Sequence, residues 1–453
     1  MFSISLSNRQ WDPTWNGLPT EIRLLIFKAL AQDGCRLSPL VTVSREWQIE
    51  LERHNFARIK LTPSRLADFN SMIRRNRAFV AYIWFCLELD EYDCTWCWPG
   101  NASAEFDEAL AISDTDHCPI TTSFHTLFSI LSTWDLTANL ILDISIYSPN
   151  GRRNIRHMVS KNPVHHDPGH GWVFGDSYHS PPRRVLLKSF HPIMQEGPFD
   201  SDQSELHWWD RLPSIPAVTT LLLRQQNRRR WKPKSLAHMF ARFPRLQEVH
   251  YEPWREWNFQ QGLTDRQYPY LFDSIRRFNG NLKTLVVFEN FNQQYPRSMQ
   301  RFPFGVEESG CDIIRKPAPA VSRIVALTSL KLEHLAASFI VDASHFFNIE
   351  PSWEWPNLTS LVLTSKLLAP DKSPIEIGAM LQAAAAVATK MPKLKTMEIW
   401  NGRKSVAALF KYQVFHDVQQ ARIIWRDGAA IKSHGDAIGY LMLSGQVIRP
   451  ISL

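Results

Sequence analysis

The chain has 453 residues, of which 44% are hydrophobic and 21% charged, and it carries a formal net charge of +7 with a pI near 9.1. This length can bury a sizeable core and can hold more than one domain, and an elongated repeat architecture would also absorb it. Six cysteines in so long a chain exclude a disulfide framework, and the positive charge permits an acidic partner without requiring one.

The N-terminal segment MFSISLSNRQWDP lacks the basic start and the apolar core of a signal peptide. The longest uncharged apolar stretch, residues 78–87, is too short to cross a bilayer. We therefore expect residues 1–14 to be a tail, the protein to be located in the cytoplasm, the nucleus or both, and no membrane to be a partner. In such a reducing compartment the cysteines would remain thiols.

The first predicted helix lies in the segment GLPTEIRLLIFKAL, residues 17–30. Pro19 suits the first turn of a helix, where its missing N–H costs nothing. The apolar residues that follow at helical spacing predict one core-facing stripe: Ile22, Leu25, Ile26, Ala29 and Leu30. Leu24 and Phe27 lie well away from this stripe. The helix is therefore either buried on all sides in a large domain, or packed with one face on its own domain and another on a partner.

Further short helices are predicted in LSPLVTVSREWQIELERHNF, residues 37–56. The start Leu18-Pro19-x-Glu-Ile22 and the later phrase Val43-Ser-x-x-Trp47 together resemble the F-box, a module that docks on the Skp-family adaptor of cullin–RING ubiquitin ligases. The resemblance spans about residues 15–56 and defines a module over residues 15–62. It implies an adaptor-binding surface formed by Leu18, Pro19, Ile22, Ile26, Leu30, Leu40, Val43 and Trp47.

Two helix–strand units are predicted after this module. The first helix has its apolar positions at Leu66, Phe69, Met72 and Ile73 and leads into a strand over residues 79–89. The second has them at Phe124, Leu127, Phe128 and Leu131 and leads into a strand over residues 138–147. The order of these segments resembles a group of fungal F-box proteins with a repeat-like C-terminal region, which implies an architecture rather than a particular target.

The stretch 148–212 is rich in Pro, Gly and His and predicts a loop insert. No predicted helix or strand would hold its histidines in a fixed coordination geometry, so we expect no metal site there. The pair Cys94 and Cys97 has metal-ligand or redox spacing, but no second pair stands at the standard distance. Neither a Gly-x-Ser-x-Gly nucleophile turn nor a phosphate-binding loop occurs, so the sequence nominates no catalytic residue and no cofactor.

From residue 216 onward one phrase recurs: an apolar residue, two others, an apolar residue, one other, and an apolar residue. Its six copies are VTTLLL (218–223), LQEVHY (246–251), LKTLVV (282–287), LTSLKL (327–332), LTSLVL (358–363) and LKTMEI (394–399). A proline stands two residues before four of them, and the last positions alternate as in a strand. Each copy therefore predicts a turn that leads into a short strand. A final strand is predicted in ARIIWRDG, residues 421–428.

Helical patterns precede several of these strands, most clearly between Ile377 and Met391, and Gly280 marks the end of another. Repeated helix–strand units form a solenoid, because neighbouring units bury each other's apolar edges. The phrase resembles degenerate leucine-rich repeats of substrate-receptor proteins. We expect an α/β chain in which the small helical F-box module is followed, over residues 63–453, by an irregular leucine-rich-repeat-like solenoid of helix–strand units. The alternative is a conventional α/β domain with parallel strands.

Two further features need an interpretation. The dense basic run 224–234 predicts a solvated loop, with a nucleic-acid site or an import signal as alternatives. Three tryptophan groups, around residues 208–209, 254–257 and 353–355, are placed in loops next to strands. Core packing accounts for most of them, and the rest are candidates for a recognition surface.

The resemblance to the F-box implies a protein that is not an enzyme: the substrate-recognition adaptor of a Skp-cullin-F-box ubiquitin ligase. The F-box would bind the Skp-type adaptor and the repeat region would hold a target protein, with no cofactor and no nucleic acid expected. The alternative is a repeat scaffold in which the F-box-like segment caps the solenoid and the run 228–234 binds an acidic protein or RNA. The two differ in whether Leu18, Pro19, Ile22 and Trp47 are available to a partner or covered by the chain itself.

Overall fold

The computed structural model describes residues 15–33, 37–88, 118–134, 139–147, 172–173, 176–177, 193–194, 198–224, 229–256, 258–289, 315–403, 406–415 and 420–429. Within these ranges the fold is mixed α/β, as the sequence predicts, and it is built around one large open sheet. No helix in the described ranges is long and apolar enough to span a membrane.

The described helices and strands alternate over most of the chain. The α-helices are α1 Thr20–Gln32, α2 Arg45–Ala57, α3 Pro63–Ile73, α4 Pro119–Leu131, α5 Asp202–Arg211, α6 Pro233–Phe240, α7 Asn258–Phe278, α8 Pro319–Thr328, α9 Ala343–Phe346 and α10 Pro374–Ala388. The strands are β1 Arg58–Leu61, β2 Tyr82–Glu88, β3 Leu140–Tyr147, β4 Trp172–Val173, β5 Asp176–Ser177, β6 Val218–Leu223, β7 Glu248–Tyr251, β8 Thr284–Phe288, β9 His334–Asp342, β10 Ser360–Thr364, β11 Thr396–Arg403, β12 Val406–Phe415 and β13 Gln420–Ala429.

The main sheet has eleven strands in the order β1-β2-β3-β6-β7-β8-β9-β10-β11-β12-β13. Neighbours are parallel from β1 to β11 and antiparallel from β11 to β13, while β4 and β5 form a separate pair. The parallel strands thus follow one another in chain order. Because crossover connections are almost always right-handed, a sheet that grows in one direction receives its helices on one face.

Burial along the repeated strands agrees with this one-sided arrangement. The fourth position of the phrase is buried in the hydrophobic core on each of these strands. For β9 the phrase is LEHLAA, residues 332–337. The six residues are Leu221, Val249, Leu285, Leu335, Leu361 and Met397. On the opposite side, His250, Val286, Ala336 and Val362 are only half-buried. We call this second side the outer face; it carries Arg58, Tyr82, Thr220 and Glu248 and the residues two positions further along each of these strands.

The repeats align in one ladder across the sheet. The third position of each phrase pairs with that of its neighbours, in the order Thr220, Glu248, Thr284, His334, Ser360 and Thr396. Five of the six predicted copies therefore contain or lead directly into a strand. The phrase predicts the strands because its spacing alternates buried and half-buried side chains with period two.

The fourth predicted copy, LTSLKL, is wrong. Its residues form the end of α8 and a 3-10 turn over Ser329–Lys331, and the strand starts at His334. The same phrase occurs five residues later as LEHLAA, residues 332–337, and this copy occupies the strand position. The two copies overlap at Leu332. The first begins within α8 because Val321 and Val325 bury the apolar side of that helix, and the second forms the strand.

Strand β9 leaves the regular ladder near its end. Phe339 has φ of 64°, which is unusual for a residue with a side chain. Its N–H donates to Thr364 Oγ1 at 2.7 Å, and the pairing register with β10 shifts at the same place. A bulge of this kind bends a strand and redirects its side chains.

Three other expectations need correction. The loop insert 148–212 ends earlier than predicted, because residues 202–211 form α5, which Ser201 caps; most of the remaining insert lies outside the described residues. Trp208 and Trp209 lie on that helix rather than in a loop, and Trp209 is buried, as is Trp355. The helical pattern before Gly280 also includes Phe278 as an apolar position, and this side chain is exposed. Strands β1, β4, β5 and β12 had no predicted counterpart, and β4 and β5 lie within the predicted loop insert.

Candidate functional site

The N-terminal helices pack around a small aromatic core. The Phe27 side chain is only 1% exposed, and its ring centroid lies 5.3 Å from that of Trp15 and 5.1 Å from that of Trp47. Glu46 joins the two helices, since it accepts a hydrogen bond from Trp15 Nε1 at 2.8 Å and pairs with Arg23 at 2.9 Å. Phe27 is therefore the side chain that anchors α1 to the rest of this unit.

The side of α1 that was predicted to face the core is the wrong one. Phe27, which lies outside that stripe, is the buried residue, whereas Ile22, Leu25 and Ala29 are exposed to solvent. Leu25 is 59% exposed, so the alternative of a helix buried on all sides is contradicted. The helix packs on its own module through the Phe27 side and leaves a second apolar side uncovered.

The predicted adaptor-binding residues divide between the aromatic core and the surface. Trp47 packs in the core, and four others are half-buried: Leu18, Ile26, Leu30 and Leu40. Pro19 is exposed, Ile22 is 43% exposed and Val43, in the turn before α2, is 60% exposed. We call Pro19, Ile22, Leu25 and Val43 the apolar surface of the N-terminal module.

No linker separates this module from the sheet. Helix α2 begins at the cap residue Ser44, whose hydroxyl accepts a hydrogen bond from the Trp47 N–H, and it ends at Ala57. Strand β1 begins at the next residue, Arg58. The buried Leu51 lies in the middle of the helix. The orientation of the module is therefore tied directly to the edge strand of the sheet.

A buried ionic cluster lies at the C-terminal ends of β7 and β8. The Arg315 side chain is 1% exposed; its Nε lies 2.8 Å from the Glu289 carboxylate, and its Nη2 pairs with Asp265. Burial alone would lower the pKa of Arg315, but the two carboxylates raise it. One buried cation thus neutralises carboxylates from two segments that are far apart in sequence.

A cavity of ≈ 20 Å³ adjoins this cluster and is lined in part by Trp231, Tyr251, Glu256 and Arg315. A water molecule needs about 10–15 Å³. Arg315 Nη1 and Trp231 Nε1 are buried donors without an acceptor among the described residues. The cavity therefore suits a water molecule and is too small for an organic ligand.

Glu289 makes the stability of the cluster depend on pH. Burial raises the pKa of its carboxyl to about 7, against the opposing effect of Arg315. The folded chain therefore binds this proton more strongly than the unfolded chain, and the stabilising contribution is full below the ordinary glutamate pKa of about 4.3 and is lost as the pH rises towards 7. We expect the free energy of unfolding to decrease with pH in this window less steeply for Glu289→Gln than for wild type. Urea titrations at several pH values test this, and identical slopes would contradict it.

Two exposed cations on the edge strand β1 lie over aromatic rings of β2. The guanidinium carbon of Arg58 is 4.7 Å from the Tyr82 ring centroid, and Lys60 Nζ is 4.7 Å from the Trp84 ring centroid. The parallel register pairs Arg58 with Tyr82 and Lys60 with Trp84, so both contacts follow from strand pairing. We call these four residues, all on the outer face, the cation–aromatic patch.

A buried polar network on the next strands holds this patch in place. The Tyr82 hydroxyl donates to Asp143 Oδ2 at 2.6 Å, and Arg224 Nη2 lies 3.0 Å from the same oxygen. Trp84 Nε1 donates to Ser145 Oγ at 3.0 Å. Burial raises the pKa of the Asp143 carboxyl, while the Tyr82 hydrogen bond and Arg224 act against it. The network fixes the orientation of both rings.

The described part of the basic run 224–234, which is residue 224 and residues 229–234, is not the solvated loop that the sequence predicted. Three of its cations pair with carboxylates of the fold: Arg224 with Asp143, Arg230 with Glu256 and Lys234 with Asp202. Trp231 is buried, and Lys234 lies in the first turn of α6. These three charges are therefore largely neutralised within the fold.

In the described ranges no group of three or more His, Cys, Asp or Glu side chains is placed to hold a metal ion. Cys86 and Cys118 are both buried. Cys94, Cys97 and the histidines of the insert lie outside the described residues. Sequence reasoning missed Arg58, Lys60 and Arg315, although Asp143, a lone carboxylate within the apolar segment LILDISI, was a signal of a buried polar network.

Comparison with known protein families finds one match, to a family of unknown function (DUF6546), over residues 278–429. This segment is about a third of the chain and contains strands β8 to β13. Comparison with curated proteins found no match.

Proposed function

We propose that the protein is the substrate-recognition subunit of a Skp-cullin-F-box ubiquitin ligase, and that it is not itself an enzyme. Residues 15–62 would be the F-box module that binds the Skp-type adaptor. The helix–strand units that follow would be a leucine-rich-repeat-like solenoid that holds a target protein. The apolar surface of the N-terminal module carries the proposal, because Pro19, Ile22, Leu25 and Val43 are exposed while the same helices have their own core.

The physical argument is that a partner would cover the apolar side chains that the chain itself leaves exposed. Pro19, Ile22 and Leu25 follow one another at three-residue spacing along α1, and exposed apolar side chains grouped in this way are typical of protein interfaces, where a few buried anchors supply most of the binding free energy. The alternative, in which this segment only caps the solenoid, requires Leu18, Pro19, Ile22 and Trp47 to be covered by the chain. Pro19 and Ile22 are exposed, whereas Leu18 is half-buried and Trp47 packs in the aromatic core. That alternative also relies on the basic run, and two of its described cations, Arg230 and Lys234, are already paired.

The direct connection between the module and the sheet supports the same proposal. A ubiquitin ligase receptor must hold its target at a defined distance from the rest of the complex. Here Ala57 and Arg58 join helix α2 to strand β1 without an intervening loop. A target bound on the sheet would therefore keep a fixed orientation relative to the adaptor.

The double substitution Ile22→Asp/Val43→Asp tests the proposal. We expect it to weaken binding of the Skp-family adaptor by about 30-fold or more, since it buries two unpaired carboxylates in an interface anchor region. The full chain is co-expressed with the adaptor, and the affinity is measured after purification. Both side chains are exposed, so the fold of the variant should remain intact.

The control is Ile375→Asp, which places a single aspartate on an exposed apolar position of α10 far along the chain. It should bind the adaptor like wild type. Absence of adaptor binding by well-folded wild type, or equal loss in the control and the double variant, would refute the proposal and favour the scaffold alternative.

A further inference from the structure

We infer that the cation–aromatic patch on the outer face is a docking site for an acidic segment of a partner protein. The inference extends the proposed function by stating the chemistry of the target, although the binding itself does not require the adaptor. Arg58 and Lys60 are both exposed, and neither forms a salt bridge with any described residue. They are therefore available to carboxylates supplied by another molecule.

The local charge balance favours an acidic ligand. Asp143 is almost fully buried and already engaged by Arg224 and the Tyr82 hydroxyl. The other acidic residue on this side of β2 is Glu88, four residues beyond Trp84 and thus about 13 Å away along the strand. Arg58 and Lys60 consequently leave a net positive surface beside the edge of the sheet.

The patch is also preorganised. Its two rings are held by hydrogen bonds to Asp143 and Ser145, and each ring in turn supports one cation at 4.7 Å. A lysine ammonium carries three N–H donors and an arginine guanidinium five, so a cation that contacts one ring face still has donors for an acceptor. Binding therefore costs less side-chain ordering than it would at two unsupported surface cations.

The same geometry disfavours single-stranded nucleic acid. Such ligands gain much of their affinity when bases stack on exposed aromatic faces. Here Arg58 and Lys60 occupy the faces of Tyr82 and Trp84, and Tyr82 is itself buried. A peptide carboxylate needs only the cations, so an acidic protein segment fits the patch better than RNA does.

The experiment measures binding of a fluorescein-labelled oligoglutamate peptide to the full chain, without the adaptor, by fluorescence anisotropy. We expect saturable binding at about 0.05 M salt that weakens at about 0.3 M, because exposed ion pairs are screened. Arg58→Gln/Lys60→Gln should reduce the affinity at least about tenfold, which corresponds to about 1.4 kcal/mol. A labelled oligouridine should bind more weakly than the peptide.

The matched control is Arg276→Gln/Arg277→Gln, which removes the same two charges from the C-terminal turn of α7. It should change the affinity by less than about twofold if the patch is the site. No binding by wild type, equal loss in both double variants, or tighter binding of the oligouridine would each overturn the inference. Because the adaptor is absent, failure here leaves the F-box proposal untouched, and failure of adaptor binding leaves this result untouched.

Discussion

Replacing Arg315 with methionine should lower the free energy of unfolding by about 3–5 kcal/mol, the range measured when one partner of a buried ion pair is removed. The Arg315 side chain is 1% exposed and is the cation that contacts both Glu289 and Asp265. Methionine fills much of the same volume, so the loss reflects the two carboxylates left in a low-dielectric environment more than a cavity. Urea unfolding followed by circular dichroism measures the change.

The loss of unfolding free energy in Arg315→Met should be larger at pH 8 than at pH 5. Without the arginine, Glu289 and Asp265 can avoid the cost of burial only by taking up protons, which is easier at low pH. Additional replacement of both acids by their amides should restore part of the lost stability. A loss that is the same at both pH values would show that volume rather than charge dominates.

The matched control is Arg323→Met, which breaks an ion pair with Glu350. Both side chains of this pair are exposed. Exposed pairs contribute about 0–1 kcal/mol because water already solvates both charges. The two substitutions are chemically identical and differ in burial. Equal effects would contradict the role assigned to the buried cluster.

Replacing Phe27 with alanine should destabilise the N-terminal module by about 3–5 kcal/mol, since large buried aromatic side chains cost this much when truncated. Phe27 and Leu51 are the buried apolar residues of the described part of residues 15–57, so the module has little else to compensate. We expect amide hydrogen exchange in α1 to become fast while β8 to β11 stay protected. Adaptor binding should be lost although Ile22 and Val43 are unchanged.

The control for Phe27→Ala is Leu24→Ala on the same helix. Leu24 is exposed, so its truncation should change stability by no more than about 0.5 kcal/mol. Hydrogen exchange of α1 should then resemble that of wild type. Slow exchange of α1 in Phe27→Ala would mean that contacts other than the aromatic core anchor this helix.

Much of the sheet could be predicted because its strands repeat one local pattern. The period-two alternation in copies such as LTSLVL places Leu361 on the buried side and Val362 on the outer side without reference to any other segment. The same reasoning failed where two patterns overlap, at residues 327–337. Only the packing of α8 decides that the first copy is helical and the second is the strand.

The candidate sites were predicted less well. The residues Ile22 and Val43 were identified through resemblance, but the periodicity of α1 assigned the wrong side to the core. A helix of apolar residues on several sides does not reveal which side its neighbours cover, and only the aromatic contacts of Phe27 with Trp15 and Trp47 decide it. The density of charge in the run 224–234 indicated a possible binding site, whereas no pattern indicated one at the isolated cations Arg58 and Lys60.

The sequence by itself determined the α/β class, the positions of most strands and the buried side of the repeated ones, because hydrophobic periodicity is a local property of the chain. The tertiary structure alone decided which charges are neutralised and which are available. Arg224 meets Asp143 and Arg315 meets Asp265 across long sequence separations, and Arg58 lies over Tyr82 only through the register of β1 and β2. The choice of neighbouring strands depends on the packing of the whole sheet, and the pattern within one strand does not specify which strand lies beside it.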